Sequence, residues 1–480
     1  MKWEFMGLKI KRTVKFVIVI CCLLAGLSNC NQTQRKRHFD INKITSYLEI
    51  PGITETEIAA IREIAEKRQS LSVGYQPSTE AFRQADGTLD GFVQLYCDLM
   101  SGIFDIPFTP AARTWGQILE GLNTGALDFT IEMTPTEERR KTYLMSAPIA
   151  QRSLACMVYG DSLKIKTELD INGRRIGFWK GTVTARSITD VYPDLFFEVV
   201  DVADGVDEVE LLRSGAIDAF IADGPTAFAY IDYENIFVKN LFPLVFTPVS
   251  LVTANFGFSS IVSVMDRYIA AGGINKLYDL YREGNNRYIK FKFEKSLTRE
   301  EKDYLENLAA NGKRVPIALE NDNYPISFYN ERSREFQGIV PDILKQVGIM
   351  TEIDFNVVND KNTTWFEMLN MLRTAKISMV SELLRSEERE GQFLWPDNPY
   401  ASTRFAFISK TDYPYIQLYQ VTHAAVGVNE GSAYESVYNS WFPGSNNLVI
   451  YRNYNDAFDD LEKGKLDLLF ASENFLLSQL

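Results

Sequence analysis

Histidine and cysteine are scarce in this sequence, and their scarcity limits the chemistry that it can support. The 480 residues include two histidines, too few to favour a metal site built on imidazole ligands. Three of the five cysteines lie within the first 30 residues. The other two, Cys97 and Cys156, fall in an apolar helical pattern and a strand-like run, so we expect buried free thiols rather than disulfides. The sequence predicts neither a metal ion nor a cofactor.

Long basic blocks and long apolar runs are also missing. No Lys/Arg-rich block follows residue 40 and the formal net charge is −13, a balance that does not suit a nucleic-acid partner. The apolar run Phe16–Leu27 has twelve residues, whereas a membrane-spanning helix needs about 20. The sequence also holds no phosphate-binding loop, histidine-kinase motif or nucleophile elbow.

The first 30 residues have the pattern of an export signal. A basic start precedes the short apolar core, which predicts a secretory signal and a periplasmic or extracytoplasmic location, associated with the membrane. Cys30 follows Leu-Ser-Asn, which resembles the lipobox of bacterial lipoproteins, although Asn29 stands where Gly or Ala is usual. Lipidation of Cys30, cleavage without a lipid and a retained anchor are the three alternatives.

The chain contains a repeat of domain length. Two stretches share an unusual order of residues: MTPTEERRKTYLMSAPIA, Met133–Ala150, and LLRSEEREGQFLWPDNPYA, Leu383–Ala401. Their arginines, Arg139 and Arg389, are 250 residues apart (389 − 139). A period of this length indicates duplicated domains rather than the short units of a solenoid.

Further pairs of segments follow nearly the same offset. They are the Thr-x-x-Glu motifs at Thr54 and Thr298, the tryptophans Trp115 and Trp365, and the strand-like segments at Asp218 and Asp467. Thr-x-x-Glu is the capping-box signature of a helix N-terminus. Within each copy, short apolar runs alternate with amphipathic helical stretches, which predicts βαβ units and a mainly parallel sheet.

The order of motifs in each copy resembles the bacterial solute-binding proteins of family 3, the polar-amino-acid Venus flytraps. In the first copy LSVGY, DGTLDGF and TWGQILEGLNTGALDFTIEMTPTEER carry the resemblance. A leading helix before each of two tandem copies is similar to the sensor region of flytrap sensor histidine kinases. The resemblance implies an α/β fold of two tandem periplasmic-binding-protein-like (type II) domains, each with two lobes, a hinge and a cleft for a small ligand.

The predicted boundaries follow the repeat. They are residues 1–30 for the signal, 31–66 for a linker and leading helix, 67–284 for domain 1, 285–312 for a second linker and helix, and 313–480 for domain 2. In domain 1, lobe 1 spans about 67–150 and 250–284, and lobe 2 about 160–245. Only 13 residues follow Asp467 (480 − 467), so we expect either a chain that is cut short or a second copy that lacks its returning hinge strand and closing helix.

The resemblance also implies which residues bind an amino acid. A zwitterion leaves water only if both of its charges are paired. Arg139 matches the family's arginine, whose planar fork holds the carboxylate, and Thr134 matches its hydroxyl donor. Asp223 matches the aspartate that holds the ammonium from the other lobe. Thr182 lies at a helix start, where free N–H groups favour an anion.

An aromatic wall completes the predicted site, and each of its members has a plainer alternative. The wall consists of Trp115, Tyr75 and Phe82, which would contact the ligand's ammonium. Taken as single residues, Trp115 and Phe82 fit a core better than a pocket, and it is the order of motifs that favours the pocket for Trp115. Asp223 also suits a helix cap, because Gly-Pro follows it. An arginine in a turn, such as Arg139, is often only a surface ion pair.

The second copy keeps some of these residues and changes others. Arg389 and Trp365 are retained, but Leu384 replaces the threonine and Ser472 the aspartate. Because serine cannot neutralise an ammonium, we expect the second domain to bind a carboxylate without an amine, or to bind nothing and transmit the state of the first. Glu473, one residue on, offers a replacement charge.

Glu132 and Glu382 are acidic in both copies, where the family often has a small residue. They face either a cationic ligand group, a neighbouring arginine or solvent. The leading hypothesis for function is a binding protein for an amino acid or small carboxylate, as the sensory part of a transmembrane signalling protein. In that setting we expect a homodimer. The alternatives are a transport-associated lipoprotein and a periplasmic dehydratase of the prephenate or arogenate type, for which Glu132 is the candidate acid.

Overall fold

The computed structural model describes residues 41–161, 164–312, 314–385 and 389–479. The predicted signal segment and Cys30 lie outside these residues. The chain divides into two compact units, Met1–Tyr288 and Ile289–Leu480. Each unit has its own sheets and its own hydrophobic core.

The first unit alternates strands and helices. Its strands are β1 (Leu71–Tyr75), β2 (Phe82–Arg83), β3 (Leu89–Asp90), β4 (Phe108–Ala112), β5 (Phe129–Met133), β6 (Leu144–Tyr159), β7 (Arg175–Trp179), β8 (Glu198–Val202), β9 (Ala219–Asp223) and β10 (Ile236–Thr253). Its helices are α1 (Glu55–Lys67), α2 (Phe92–Phe104), α3 (Trp115–Thr124), α4 (Thr184–Val191), α5 (Glu208–Arg213), α6 (Gly224–Phe228), α7 (Ser259–Tyr268) and α8 (Ile274–Ser296).

One eight-stranded sheet runs through both lobes of the first unit, in the order β4-β1-β5-β10-β6-β9-β7-β8. β1 pairs in parallel with β4 and β5 in one lobe, and β7 pairs in parallel with β8 and β9 in the other. The antiparallel strands β6 and β10, 16 and 18 residues long, pass from one lobe to the other. The architecture is therefore the predicted pair of α/β lobes joined by two strands.

Apolar spacing in the sequence explains the core of each lobe. On α2, Phe92, Tyr96 and Met100 follow one another at four-residue intervals and are fully buried. Cys97 on the same helix and Cys156 on β6 are buried free thiols, as predicted. Burial raises the pKa of the Cys156 thiol to about 12, so this sulfur is an apolar core atom and not a reactive one.

Helix α8 is longer than the sequence suggested. The segment predicted as a linker, residues 285–296, is helical, because no glycine or proline interrupts it after Gly284. Gly284 itself lies against the start of α2, where a Cβ atom would come within 2.4 Å of the Phe92 nitrogen. Glycine is required there so that the two backbones can pack this closely.

The capping box at Thr54 fixes the start of α1. The Glu57 carboxylate accepts a hydrogen bond from the Thr54 N–H at 2.8 Å and another from the Ser263 hydroxyl of α7 at 2.7 Å. We expect Thr54→Ala to reduce the free energy of unfolding by about 1 kcal/mol, because an N-cap and its reciprocal bond are both lost. Hydrogen exchange of the α1 amides measures the effect.

A matched control exists in the second unit. Thr298 forms the same capping box with Glu301, but helix α9 (Arg299–Ala310), which it caps, buries no residue. Thr298→Ala should therefore leave exchange at the α1 amides unchanged. An α1 that is equally protected in both variants would contradict the role given to Thr54.

The second unit repeats much of this order. Its strands are β11 (Arg314–Ala318), β12 (Asp322–Asn323), β13 (Ser327–Asn330), β14 (Glu335–Gln337), β15 (Asp354–Val357), β16 (Met379–Val380), β17 (Phe405–Ile408), β18 (Val426–Asn429), β19 (Leu448–Tyr451) and β20 (Leu468–Ser472). Its helices are α9, α10 (Ile339–Thr351), α11 (Trp365–Arg373), α12 (Ala433–Trp441), α13 (Tyr454–Glu462) and α14 (Glu473–Ser478).

The two lobes of the second unit have separate sheets. One has the order β15-β11-β16 and the other the order β17-β20-β18-β19. β17 and β20 are antiparallel, as are β6 and β9 in the first unit, while β18 pairs in parallel with β19 and β20. A strand equivalent to β10 does not occur among the residues that the structure describes.

Candidate functional site

The cleft of the first unit contains most of the residues predicted to bind a ligand. Its two lobes enclose a cavity of about 50 Å³. Trp115, Thr134, Arg139, Thr182 and Asp223 all line it. This volume holds a few water molecules, whereas small-molecule sites usually enclose about 300–1,000 Å³.

Arg139 bridges the two lobes across this cleft. Its Nη1 donates to the Thr134 carbonyl oxygen of lobe 1 and its Nη2 to the Gly181 carbonyl oxygen of lobe 2, each at 2.9 Å. The guanidinium carbon lies 5.5 Å from the centre of the Trp115 ring. The tryptophan that the sequence assigned to a ligand's ammonium therefore stacks on the arginine.

Asp223 lies in the cleft and also caps a helix, which is the alternative role that the sequence suggested for it. It is the N-cap of α6, where its Oδ1 accepts hydrogen bonds from the Thr226 N–H and hydroxyl, both at 3.1 Å. Thr182 uses its hydroxyl locally, donating to the Trp179 carbonyl oxygen at 2.8 Å. Both side chains line the cleft while already engaged in hydrogen bonds within lobe 2.

Tyr75 and Phe82 do not line the cleft of the first unit. Tyr75 ends β1 and is 2% exposed within the core of lobe 1. The Phe82 ring packs edge-on against Tyr288, with ring centres 5.2 Å apart. The predicted aromatic wall is therefore reduced to Trp115, to which the structure adds Trp179 from the other lobe.

A buried ionic triad, which the sequence did not reveal, occupies the same cleft. The Arg152 guanidinium donates from Nε and Nη2 to the two carboxylate oxygens of Glu80, at 3.0 and 2.5 Å. Its Nη1 donates to Glu132 at 2.6 Å. The three side chains are 2%, 6% and 4% exposed, and the Tyr281 hydroxyl donates a further bond to Glu80 at 2.7 Å. Glu132 is thus paired with an arginine, but with one that no motif marked.

The triad supplies its own counter-charge. Burial alone would lower the pKa of Arg152, but the charges of Glu132 and Glu80 outweigh burial and raise this pKa well above its usual value. Burial raises the pKa of Glu132, and Arg152 opposes that rise. The acidic part of the first cleft is therefore filled by a cation that belongs to the protein.

The lobes of the first unit also touch directly. The Thr114 hydroxyl of lobe 1 donates to Asp204 of lobe 2 at 2.7 Å, and the Thr79 N–H donates to the Pro225 carbonyl oxygen at 3.0 Å. Together with the Arg139 bridge, these contacts hold the first cleft in a closed conformation.

The second unit also has a cleft. Trp365, Arg389 and Ser472 are among the residues that line its cavity, together with apolar core residues of the first lobe such as Val340 and Phe355. Arg389 repeats the contacts of Arg139: Nη1 donates to the Leu384 carbonyl oxygen and Nη2 to the Gly431 carbonyl oxygen, both at 3.0 Å. The repeated motif thus builds the same arginine bridge in both units.

Ser472 keeps the structural task of Asp223. It is the N-cap of α14, and its hydroxyl accepts a hydrogen bond from the Phe475 N–H at 3.3 Å. Glu473 is not among the residues that line the second cleft, so it does not replace the lost aspartate there. A negative charge is supplied from another side of this cleft.

Two glutamates on the first lobe provide that charge. The Asn323 amide nitrogen donates to Glu382 and, at 3.5 Å, to Glu320, so the two carboxyl groups share one donor. Burial raises the pKa of Glu320 to about 7, and burial together with Glu320 raises that of Glu382 to about 11. Without a nearby cation this pair retains a proton at neutral pH.

Strand register shows what has been exchanged between the two clefts. Leu154 pairs with Asp223 in the first unit and Phe405 pairs with Ser472 in the second, which places Thr403 at the position of Arg152. Trp179 and Asn429 likewise end the equivalent strands β7 and β18. An arginine and a tryptophan in the first cleft are thus replaced by two small side chains in the second.

This fold of paired lobes, with an arginine bridging each cleft, defines the class of periplasmic-binding-protein-like proteins, here in tandem. The chain belongs to the bacterial extracellular solute-binding proteins, family 3, whose family model matches residues 71–313 and again 315–476. The predicted family and fold class are confirmed. No curated protein matched the chain in a sequence comparison.

Several solved structures resemble it at low sequence identity. The structure described as VC protein is 17% identical, with a TM-score of 0.49, and the match covers 85% of this chain and 88% of that one. The B. pertussis BvgS periplasmic domain is 18% identical, with a TM-score of 0.36 and coverage of 86% and 80%. AbpA from Streptococcus pneumoniae, bound to L-arginine, is 16% identical, with a TM-score of 0.39 and coverage of 47% and 99%.

The described residues lack two features that would bear on function. Among them, no helix combines the length and the apolar character needed to cross a bilayer. Nor do they contain three His, Cys, Asp or Glu side chains grouped so that they could hold a metal ion.

Proposed function

We propose that this chain is an extracytoplasmic receptor for a small organic solute that carries a carboxylate, such as an amino acid. The observation that carries the proposal is Arg389, which lies in a cleft between two lobes and donates to a carbonyl oxygen of each. A carboxylate is a stronger acceptor than a peptide carbonyl, because its bond to a guanidinium is charge-assisted. It can therefore join or displace the carbonyl contacts of this arginine.

The second domain, rather than the first, is the site of binding in this proposal. The first cleft holds about 50 Å³ and is occupied by Arg152 and Trp179, whereas the second has small residues at both positions. Admitting a ligand to the first domain would require the lobes to part and the buried triad to rearrange. This assignment reverses the order of importance that the motifs suggested.

A sensory role fits this division better than a transport role. A transport receptor needs only one domain that loads and unloads its solute, and the first domain would add nothing to that task. In a sensor, a domain that stays closed can relay the state of its neighbour. A dehydratase would need an acid free to exchange protons, but its candidate, Glu132, is paired with Arg152 at 2.6 Å.

Arg389→Met tests the proposal. We expect the variant to bind carboxylate ligands about 100-fold more weakly, because truncating one partner of a buried charge pair costs about 2–5 kcal/mol. Isothermal titration calorimetry of the chain with L-arginine, L-glutamine and hexanoate measures this loss. Arg139→Met is the matched control in the other domain and should leave these affinities unchanged; the reverse pattern would place binding in the first domain.

A further inference from the structure

The acidic pair in the second cleft has unsatisfied acceptors beside it. Asn323 Oδ1 and Asn429 Oδ1 are buried and have no hydrogen-bond partner, and both residues line the cavity. Buried acceptors of this kind are rare in folded proteins, since each carries a desolvation cost. They belong to opposite lobes, so polar groups without a partner lie on both sides of this cleft.

In the first domain, a side chain of the protein itself occupies the space beside the equivalent glutamate. Glu132 and Glu382 occupy equivalent positions, 250 residues apart (382 − 132). In the first domain the Arg152 guanidinium reaches Glu132 at 2.6 Å and leaves no need for an external cation. In the second, Thr403 occupies that position, and its hydroxyl donates to the Arg404 carbonyl oxygen instead.

The second cleft also has one more acid than the first. Glu320 follows β11 at the position that Gln76 takes after β1, 244 residues earlier (320 − 76). Gln76 lies in the first cleft as a neutral side chain. The exchange from first to second domain thus removes one cation and adds one carboxyl group.

We infer that the second domain binds a small organic cation, a guanidinium or primary ammonium group, at Glu382 and Glu320, in the place that the Arg152 side chain fills in the first domain. The inference rests on the proposed function, because the same ligand would present its carboxylate to Arg389. It assigns the ammonium-binding role to lobe 1, since Ser472 on lobe 2 has no charge to offer. A basic amino acid carries both groups.

Three probes separate the two ends of the ligand in calorimetric titrations of the full chain. L-arginine carries cation and carboxylate, agmatine carries only cationic groups, and hexanoate carries only the carboxylate. Glu382→Gln should weaken L-arginine and agmatine by about 100-fold and leave hexanoate unchanged. Arg389→Met should weaken L-arginine and hexanoate and leave agmatine unchanged.

Each alternative result has a distinct meaning. Glu382→Gln without effect on L-arginine or agmatine, or neither of these probes binding at millimolar concentration, overturns the cation site. If Glu382→Gln weakens the binding of L-arginine but Arg389→Met does not, the cation site is supported and the proposed carboxylate-binding role of Arg389 is wrong. Calcium or magnesium binding in competition with agmatine would show a metal site instead.

A surface variant and a melting-temperature measurement show whether a loss of affinity comes from the cleft or from a general effect of the substitution on charge or folding. Glu462→Gln changes an exposed acid at the end of α13, outside the cleft, and should alter none of the three affinities. The melting temperature of unliganded Glu382→Gln should equal or exceed that of the parent chain, because the substitution relieves the crowding of two carboxyl groups. A lower melting temperature would contradict the proximity of Glu382 and Glu320.

Discussion

Replacing Arg152 with methionine should destabilise the first domain by about 3–5 kcal/mol, because the substitution leaves two buried carboxylates without their counter-charge. Glu80 loses both bonds from the guanidinium and Glu132 loses one. Methionine keeps much of the arginine's volume, so the loss reports on charge more than on packing. Hydrogen exchange in increasing urea, read on peptides of each domain of the full chain, measures the change in the first domain alone.

The triple variant Arg152→Met, Glu80→Gln, Glu132→Gln is the matched control. It removes the charges together with the cation, so most of the lost stability should return. If the single variant is as stable as the parent, or the triple variant is no more stable than the single one, the triad does not hold the first cleft closed. Exchange protection in the second domain should be the same in all three proteins.

The sequence motifs predicted which strand ends form the site, but not all of the side chains that fill the cleft. Arg139 and Asp223 follow strand ends in a recognisable order, so their places in the cleft could be inferred from local pattern. Arg152 and Glu80 are 72 residues apart in the chain, and neither stands in a distinctive motif. A pair of this kind forms only when β6 and the loop after β1 meet in the folded lobe.

Aromatic residues at strand ends were the least predictable part. Tyr75 and Phe82 lie in the same motif region as the cleft residues, but their rings turn into the core. Periodicity cannot separate these two outcomes, because both faces of a buried β-strand are apolar. Trp179 is the opposite case. It lies in the cleft, but nothing in the sequence except its position at the end of β7 indicated this.

Side-chain volume at equivalent positions is one difference between the two clefts. Exchanging Arg152 for Thr403 and Trp179 for Asn429 removes bulk from both sides of the second cleft. Aligning the two copies by strand register would have identified both exchanges, but the register itself came from the structure. The motif comparison followed Asp223 to Ser472 and offered Glu473 as a replacement charge, but Glu473 does not line the second cleft, whereas Glu320 and Glu382 do.

Affinity of the second domain for L-arginine should depend strongly on pH, falling about tenfold for each unit below pH 7 and hence about 100-fold between pH 7 and pH 5. Burial raises the pKa of Glu320 to about 7, so below this pH the carboxyl pair is increasingly protonated when no ligand is bound. A bound cation favours the carboxylate form, so binding must release the proton, and each lower pH unit makes that release tenfold less favourable.

Calorimetry at pH 5 to 8, in two buffers of different ionisation enthalpy, measures both the affinity and the proton released. Two tyrosines and an arginine that face the pair do not change charge between pH 5 and pH 8. Burial raises the pKa of Tyr400 and of Tyr434 to about 12, and the guanidinium of Arg389 stays charged. Asp322 also has a raised pKa because of burial, so Asp322→Asn is needed as a control and should keep the pH dependence. Glu320→Gln should change it, because Glu382 is then the one carboxyl group of the pair that can release a proton. An affinity that is constant from pH 5 to pH 7 would mean that no carboxyl group of this pair meets the ligand, because a cation cannot bind beside a protonated pair without displacing its proton.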